Sequence, residues 1–263
     1  MGRGAAFFDL DKTLMEGSSA IHFGRAAYRA GLVSRRQLLG DAWANVKFRL
    51  NGSTDEGTED LRRRILDAIA GQSVKDLMRM GPDVLAGILP LIYKEVLETA
   101  WEHQDAGRSA YIITAASQEL AESLAGVLAL DGGIGVRSEV KDGVYTGRPA
   151  GPFTYREGKA EAIRELAANE GIDLTESYAY SDSESDLPML RAVGNPVVVN
   201  PDRELERVAR SEGWRIMRFD RLARRLKLGA AVGLVGLVGA SAGGVAAARL
   251  RRGGRRRRFI GRG

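Results

Sequence analysis

An apolar run that breaks off in carboxylates leaves a chain few ways to fold. Here Ala5-Ala6-Phe7-Phe8 leads straight into Asp9-Leu10-Asp11-Lys12-Thr13-Leu14. A short unbroken apolar run of this kind reads as a strand buried on both faces. Burying even one carboxylate without compensation is costly, so two at the end of such a strand imply a partner cation or a positive charge. A local reading is also open, since Asp-Leu-Asp-Lys suits the capping turn that opens a helix.

Three further segments repeat the arrangement. Ser109 to Ile113 is a β-type run that stops at Thr114, followed by Ala115, Ala116 and Ser117, small residues that leave backbone amides accessible to an anion at a helix start. Gly158-Lys159 opens a helical pattern, Lys159 to Asn169. A lysine at a helix N-terminus opposes the dipole, and a bound phosphate would offset that. Ser177 to Tyr180 then leads into Ser181-Asp182-Ser183-Glu184-Ser185-Asp186 and Leu187-Pro188-Met189-Leu190, a second acidic cluster at a strand end. Strand-like runs alternating with helices such as Gln118 to Leu130 predict an α/β protein with a doubly wound parallel sheet, helices on both faces and these segments gathered at its carboxyl edge.

With these residues in order, the chain resembles the haloacid dehalogenase-like (HAD) hydrolase superfamily, subfamily IB, in its phosphoserine-phosphatase-like branch. The resemblance covers roughly the first 220 residues. Asp9 to Thr13 looks like that family's first motif, Thr114 its second, Lys159 its third, and Asp182 to Leu190 its fourth. The resemblance implies a Rossmann-like HAD core with a helical cap inserted after the first strand. It also implies a phosphomonoester hydrolase that works through an aspartyl-phosphate, dividing a slow hydrolysis into two easier steps. Asp9 is then the nucleophile. Asp11, two residues along a strand and so on the same side, is the acid that protonates the leaving alcohol and the base that activates water. A phosphate approaching carboxylates needs a cation, and hard oxygen donors point to Mg²⁺. The family pattern implies Asp9, the Asp11 carbonyl and Asp182 as its ligands, with Asp186 orienting water or a ligand behind them. Thr114 and the Ala115 amide would hold phosphoryl oxygens, and Lys159 would neutralise developing charge.

The residues absent narrow the chemistry. Without cysteine there is no thiol catalysis, disulfide or thiolate metal site. Two histidines, His22 and His103, are too few for a histidine-rich zinc centre. His103 is expected on the surface of a helix and His22 in ordinary packing. The glycines of Asp131-Gly132-Gly133-Ile134-Gly135 read as turns between elements.

Residues 1–15 and 106–220 are expected to form the catalytic core and 16–105 the helical cap, a segment too long for a simple loop. In the cap, Trp43, Phe48, Leu61, Ile65, Leu66 and Ile69 read as core, and Arg62, Arg63 and Arg64 as a solvated face. Phosphoserine phosphatases of this branch carry a glutamate seven positions after the second motif aspartate. This chain has Ser18 there, with Glu16 displaced by two residues, which argues against phosphoserine as substrate. Residues 221–263 form a tail. It holds 12 of the 39 Lys and Arg and none of the 34 acids, so positions 1–220 carry a net charge of −7. Within the tail, 228–248 is uncharged and long enough for a hydrophobic C-terminal membrane helix, yet its six glycines and seven alanines against three leucines make insertion marginal. The basic flanks suit an anionic membrane face better than nucleic acid. No signal peptide precedes the first strand, so the expectation is a cytoplasmic catalytic domain at the inner membrane face. A lipid phosphate, of lysophospholipid or phosphatidylglycerophosphate type, is the first expected substrate. A small soluble ester such as phosphoserine is the second, and a non-catalytic membrane-associated interaction protein is a reading of another class.

Overall fold

Phe7 and Phe8 point to opposite sides of one strand, and each demands its own apolar layer. The computed structural model describes residues 3–32 and 55–219, with the backbone alone at 55–57 and Leu61. Trp43, Phe48 and the candidate span 228–248 lie outside the described residues. Strand β1 (Ala5–Asp9) is buried along its whole length. Phe7 stacks on Tyr111 with ring centroids 5.7 Å apart, within a core cluster that includes Ile163, Leu190, Val198 and Leu205. Phe8 stacks on Tyr180 at 4.3 Å and meets His103 edge-on. Each fully buried aromatic of this kind contributes about 1.5–3 kcal/mol.

Helix α1 (Ser19–Arg29) follows, then α2 (Asp55–Ile69), α3 (Val74–Ile88) and α4 (Lys94–Asp105). After them come β2 (Ser109–Ser117), α5 (Gln118–Val127), β3 (Gly132–Val136) and a hairpin of β4 (Ser138–Lys141) and β5 (Val144–Pro149). The chain ends its described part with α6 (Glu157–Glu170), β6 (Tyr178–Ser181), α7 (Leu187–Arg191), β7 (Asn195–Val199), α8 (Arg203–Glu212) and β8 (Arg215–Met217). Six strands form one sheet in the order β3-β2-β1-β6-β7-β8, with every pairing parallel. This is the α/β sheet expected from the alternation of runs, and all these elements lie within one compact unit, Met1–Met217. The strand order reverses at β1, so the crevice for a ligand opens at the carboxyl ends of β1, β2 and β6.

Two expectations are corrected. The glycines at 132–135 are not turns but β3 itself. A Cβ on Gly133 would fall within 3 Å of the Ala121 and Glu122 backbone, and one on Gly135 within 3 Å of Ser117 and Gln118. Only glycine lets this strand lie so close under α5. Likewise β2 does not stop at Thr114 but runs to Ser117, where the Ser117 hydroxyl caps α5 by accepting from Leu120 N–H.

The helical segment leaves the core at Leu14–Glu16 and returns at Leu91–Tyr93. These two passages run antiparallel: Glu16 N–H donates to Leu91 (2.8 Å) and Tyr93 N–H to Leu14 (2.9 Å). Helix α4 comes after this return and packs Val96, Ala100 and His103 inward. Leu66 is buried as the sequence suggests. The β4-β5 hairpin extends toward α2 and α3, pairing Tyr145 with Gly71 and Gln72 and Val74 with Gly143.

Candidate active site

The site begins where β1 ends. Asp9 closes that strand, Thr114 lies one residue past its partner Ile113 on β2, and Asp182 follows β6 on the other side. Three separate strands thus deliver their polar residues to one crevice. Helix α6 brings Lys159 in from its first turn, with only 3 % of its surface exposed. Its Nζ donates to Asp9 Oδ1 at 2.5 Å and to Asp186 Oδ2 at 2.7 Å. Asp186 Oδ2 also accepts from Ser181 Oγ at 2.7 Å. A buried lysine held by two carboxylates is the centre of the arrangement.

Local structure explains why these groups meet. Gly158 is required because a Cβ there would collide with the Phe153 carbonyl as the chain turns into α6. Thr154, buried just before that turn, donates from Oγ1 to the Thr114 carbonyl at 2.6 Å, tying the lysine loop to β2. The β2–β3 ladder lapses between Ile113 and Ser117, so Thr114, Ala115 and Ala116 stand out of that pairing at the edge. Ala116 N–H donates to Thr114 Oγ1 at 3.2 Å.

Asp11 follows β1 by two residues and is held by the start of α1. Strand β1 ends at Asp9, and the chain then turns through Lys12, which takes the left-handed region at φ 61°. Asp11 Oδ2 accepts from Ser18 Oγ and its Oδ1 from Ser19 N–H, both at 2.8 Å. The first turn of α1 therefore holds this carboxylate. Ser18, at the position of the expected glutamate, spends its hydroxyl on Asp11. His22 on the same helix lies against Gly87 of α3. Burial and Arg25 lower its affinity for a proton, and Asp11 opposes them.

Electrostatics give the crevice an unmet demand. Burial pushes the Asp9 carboxyl up to about 8, with Lys159 opposing and Asp186 and Asp182 adding to the rise. Asp182 is pushed up to about 6, again by burial first, with Lys12 opposing and Asp186 adding. Burial works against the charge on Lys159, but Asp186 and Asp9 more than offset it and hold its proton firmly. Lys12 Nζ stands 3.8 Å from Asp182 Oδ2 on a half-exposed side chain. Two buried carboxylates at neighbouring strand ends, short of positive charge, fit a hard divalent cation. Among the described residues no three His, Cys, Asp or Glu side chains form a metal cluster.

The sequence had marked Asp9, Thr114, Lys159, Asp182 and Asp186, and the fold brings all five to this edge. It gave no signal for Thr154. Ser181 stood in the fourth segment unremarked, though a hydroxyl beside an acidic strand end was the clue available. His103 is not a surface residue: it is 5 % exposed, its Nε2 lies 2.7 Å from Tyr180 OH and its Nδ1 accepts from Arg108 Nε at 2.7 Å. Those bonds hold α4 to β6 beneath the site. Helical periodicity could not show that a polar ring had two partners waiting on other elements.

The pattern of a family description for haloacid dehalogenase-like hydrolases matches residues 6–191, which spans every one of these site residues. The chain belongs to the haloacid dehalogenase-like hydrolase family. Within the HAD family it is 41% identical over 254 residues to a phosphoserine phosphatase of Mycobacterium tuberculosis, covering 94% of this chain and 80% of that one. It is 30% identical over 219 residues to a histidinol-phosphatase of Neisseria meningitidis, covering 81% of this chain and 98% of the relative. A solved protein of unknown function from Bordetella pertussis superposes with a TM-score of 0.71 at 26% identity, covering 82% of this chain and 99% of that one. A substrate-bound phosphoserine phosphatase superposes at 0.60 with 20% identity, covering 87% and 99%, a likeness of fold. Family and relatives together make the chain a HAD-family phosphatase.

Proposed function

We propose that the chain hydrolyses a small, water-soluble phosphate monoester in two steps, with Asp9 as nucleophile. The observation that carries this reading is the grip of Lys159 on Asp9 and Asp186. It aims one carboxylate oxygen and one fixed positive charge at the point where a phosphoryl group would arrive. Asp9 attacks phosphorus and forms an acyl phosphate as the ester oxygen departs. Asp11 turns from Ser18 and Ser19 to protonate that oxygen, then takes a proton from the water that attacks phosphorus and frees Asp9. Thr114 Oγ1 and the Ala115 amide hold phosphoryl oxygens, while Lys159 offsets charge on both reactants. Asp9, Asp182 and the Asp11 carbonyl would hold Mg²⁺, which when bound supplies Lewis-acid neutralisation of phosphate charge.

The helical insert is best drawn at 16–91, between the paired passages, with α4 assigned to the core. The relatives named phosphoserine phosphatase and histidinol-phosphatase support a substrate class: phosphoserine and histidinol phosphate are both phosphate esters of amino alcohols, and we assign that class to this chain. Ser18 donates to Asp11 and carries no carboxylate to meet an amino group, which favours amino alcohols other than phosphoserine. The lipid-phosphate and membrane expectations depend on 228–248, outside the described residues. No helix among the described residues is long and apolar enough to cross a membrane.

The test is Mg²⁺-dependent phosphate release from purified full chain across soluble amino-alcohol phosphates, other soluble esters and lipid phosphates, with Asp9→Asn as blank. Selective release from amino-alcohol phosphates supports the assignment. Selective release from lipid phosphates would restore the lipid reading, and a blank as active as wild type would remove Asp9 from its role. Membrane recovery of the chain with and without 221–263 separately tests the tail.

A further inference from the structure

The loop that carries Asp182 and Asp186 is clamped by a residue from outside all four motif segments. Asp202 follows β7, the strand beside β6, and stands at the N-cap of α8. Its backbone N–H donates to the Asp182 carbonyl at 2.8 Å. Its Oδ2 accepts the Glu184 N–H at 3.1 Å, and its Oδ1 accepts the Leu205 N–H at 2.8 Å.

An ordinary N-cap needs one side-chain oxygen for its own helix. Asp202 meets that need with Oδ1 and directs the other oxygen to a different element, while its backbone bonds to that same element two residues earlier. The anchor is firm, because Leu205 and Ala209 of α8 are fully buried. The far side of the loop is held by Ser181, whose Oγ accepts from Ser183 N–H and donates to Asp186. Asp182 is therefore fixed between a strand on one side and a helix cap on the other.

We propose that Asp202 is a positioning residue for divalent-cation binding: by clamping Asp182 and Glu184 to α8 it presets the Asp182 carboxylate toward Asp9 and keeps a further negative charge near the cation. This rests on the reading of Asp9 and Asp182 as cation ligands. Groups that orient metal ligands from behind typically account for 10–100-fold in metal affinity when lost. The sequence shows only Asn200-Pro201-Asp202, an ordinary start to a helix.

The experiment is a calorimetric titration of the full chain with Mg²⁺ alone, paired with amide hydrogen exchange of residues 183–185 in the cation-free protein. Asp202→Ser retains a cap for α8 and the backbone bond to Asp182 but cannot reach Glu184. The expected result is at least tenfold weaker Mg²⁺ binding, faster Glu184 exchange and an unfolding temperature close to wild type. Glu184→Pro, compared with Glu184→Ala, provides a second route that leaves Asp202 and its cap untouched. Proline removes only the clamped N–H, is tolerated at the first helical position, and suits the extended backbone of Ser183 before it. It is expected to weaken Mg²⁺ binding relative to Glu184→Ala. Binding within twofold of the matched control in both tests would overturn the proposal. Asp182→Asn separates the two levels: if it too binds Mg²⁺ like wild type, the cation reading fails and the proposal with it. If Asp182→Asn loses binding and the clamp variants do not, the clamp alone is refuted.

Discussion

Replacing Lys159 by methionine removes one charge while keeping the length of the stem, and its cost can be worked from the geometry. The ammonium is 2.5 Å from Asp9 and 2.7 Å from Asp186, with all three side chains buried. Taking away one partner of a buried ion pair costs about 3–5 kcal/mol, because the remaining charge is left in a poor solvent. For a unit of this size that lowers Tm by about 6–20 °C. The penalty depends on pH. In the cation-free wild type, Asp9 is pushed up to about 8, so the folded chain keeps a proton that the unfolded chain has already lost. Its contribution to stability therefore falls as pH rises from about 4 toward 8. In Lys159→Met a protonated carboxyl needs no cation, so the deficit narrows at pH 5 and widens at pH 8. Thermal unfolding of both proteins in chelator at the two pH values reads this directly. A variant within about 2 °C of wild type at pH 8 would refute the view that Lys159 is the compensating charge of this crevice.

Other perturbations probe the frame around it. Gly133→Ala forces a Cβ into the Ala121 backbone and is expected to cost about 1–3 kcal/mol in urea unfolding. Ser181→Ala removes the hydroxyl from Asp186 and is expected to cost about 1.5–3 kcal/mol, read the same way. His103→Phe leaves the Tyr180 hydroxyl and Arg108 without this partner, at a cost of about 1–3 kcal/mol. It also changes a pH dependence. Burial, then Arg108 and Arg215, push His103 down to about 4, so the stability it lends above its unfolded value near 6.5 is lost as pH falls from 6.5 toward 4. The variant's stability curve should be flatter across that window, and an unchanged slope would show that His103 is not the group responsible.

The sequence made the sheet readable because parallel strands covered on both faces announce themselves as apolar runs, as at Ala5 to Phe8 and Ser109 to Ile113. Acids and hydroxyls at the ends of those runs could be gathered by topology alone. What escaped depended on a second element that no local pattern names. Gly133 looked like a turn because the helix that crowds it lies elsewhere in the chain. His103 looked exposed because Tyr180 and Arg108 become its partners only in the fold. The hold of Ser18 and Ser19 on Asp11 escaped for the same reason, since the start of α1 closes on it only in the fold.

The paired passages at Leu14–Glu16 and Leu91–Tyr93 form the stem through which the helical insert leaves and rejoins the sheet. Its two cut ends lie side by side, held by backbone bonds that any sequence can make. A different insert of compatible end spacing could be joined to the same stem without altering one strand of the sheet. Two contacts constrain such an exchange: the backbone pairing of residues 71–74 with the β4-β5 hairpin, and Asp11, whose carboxylate is held by Ser18 and Ser19 of the incoming segment. An insert exchanged along this stem must therefore bring its own hand to hold the acid and its own edge to meet the hairpin.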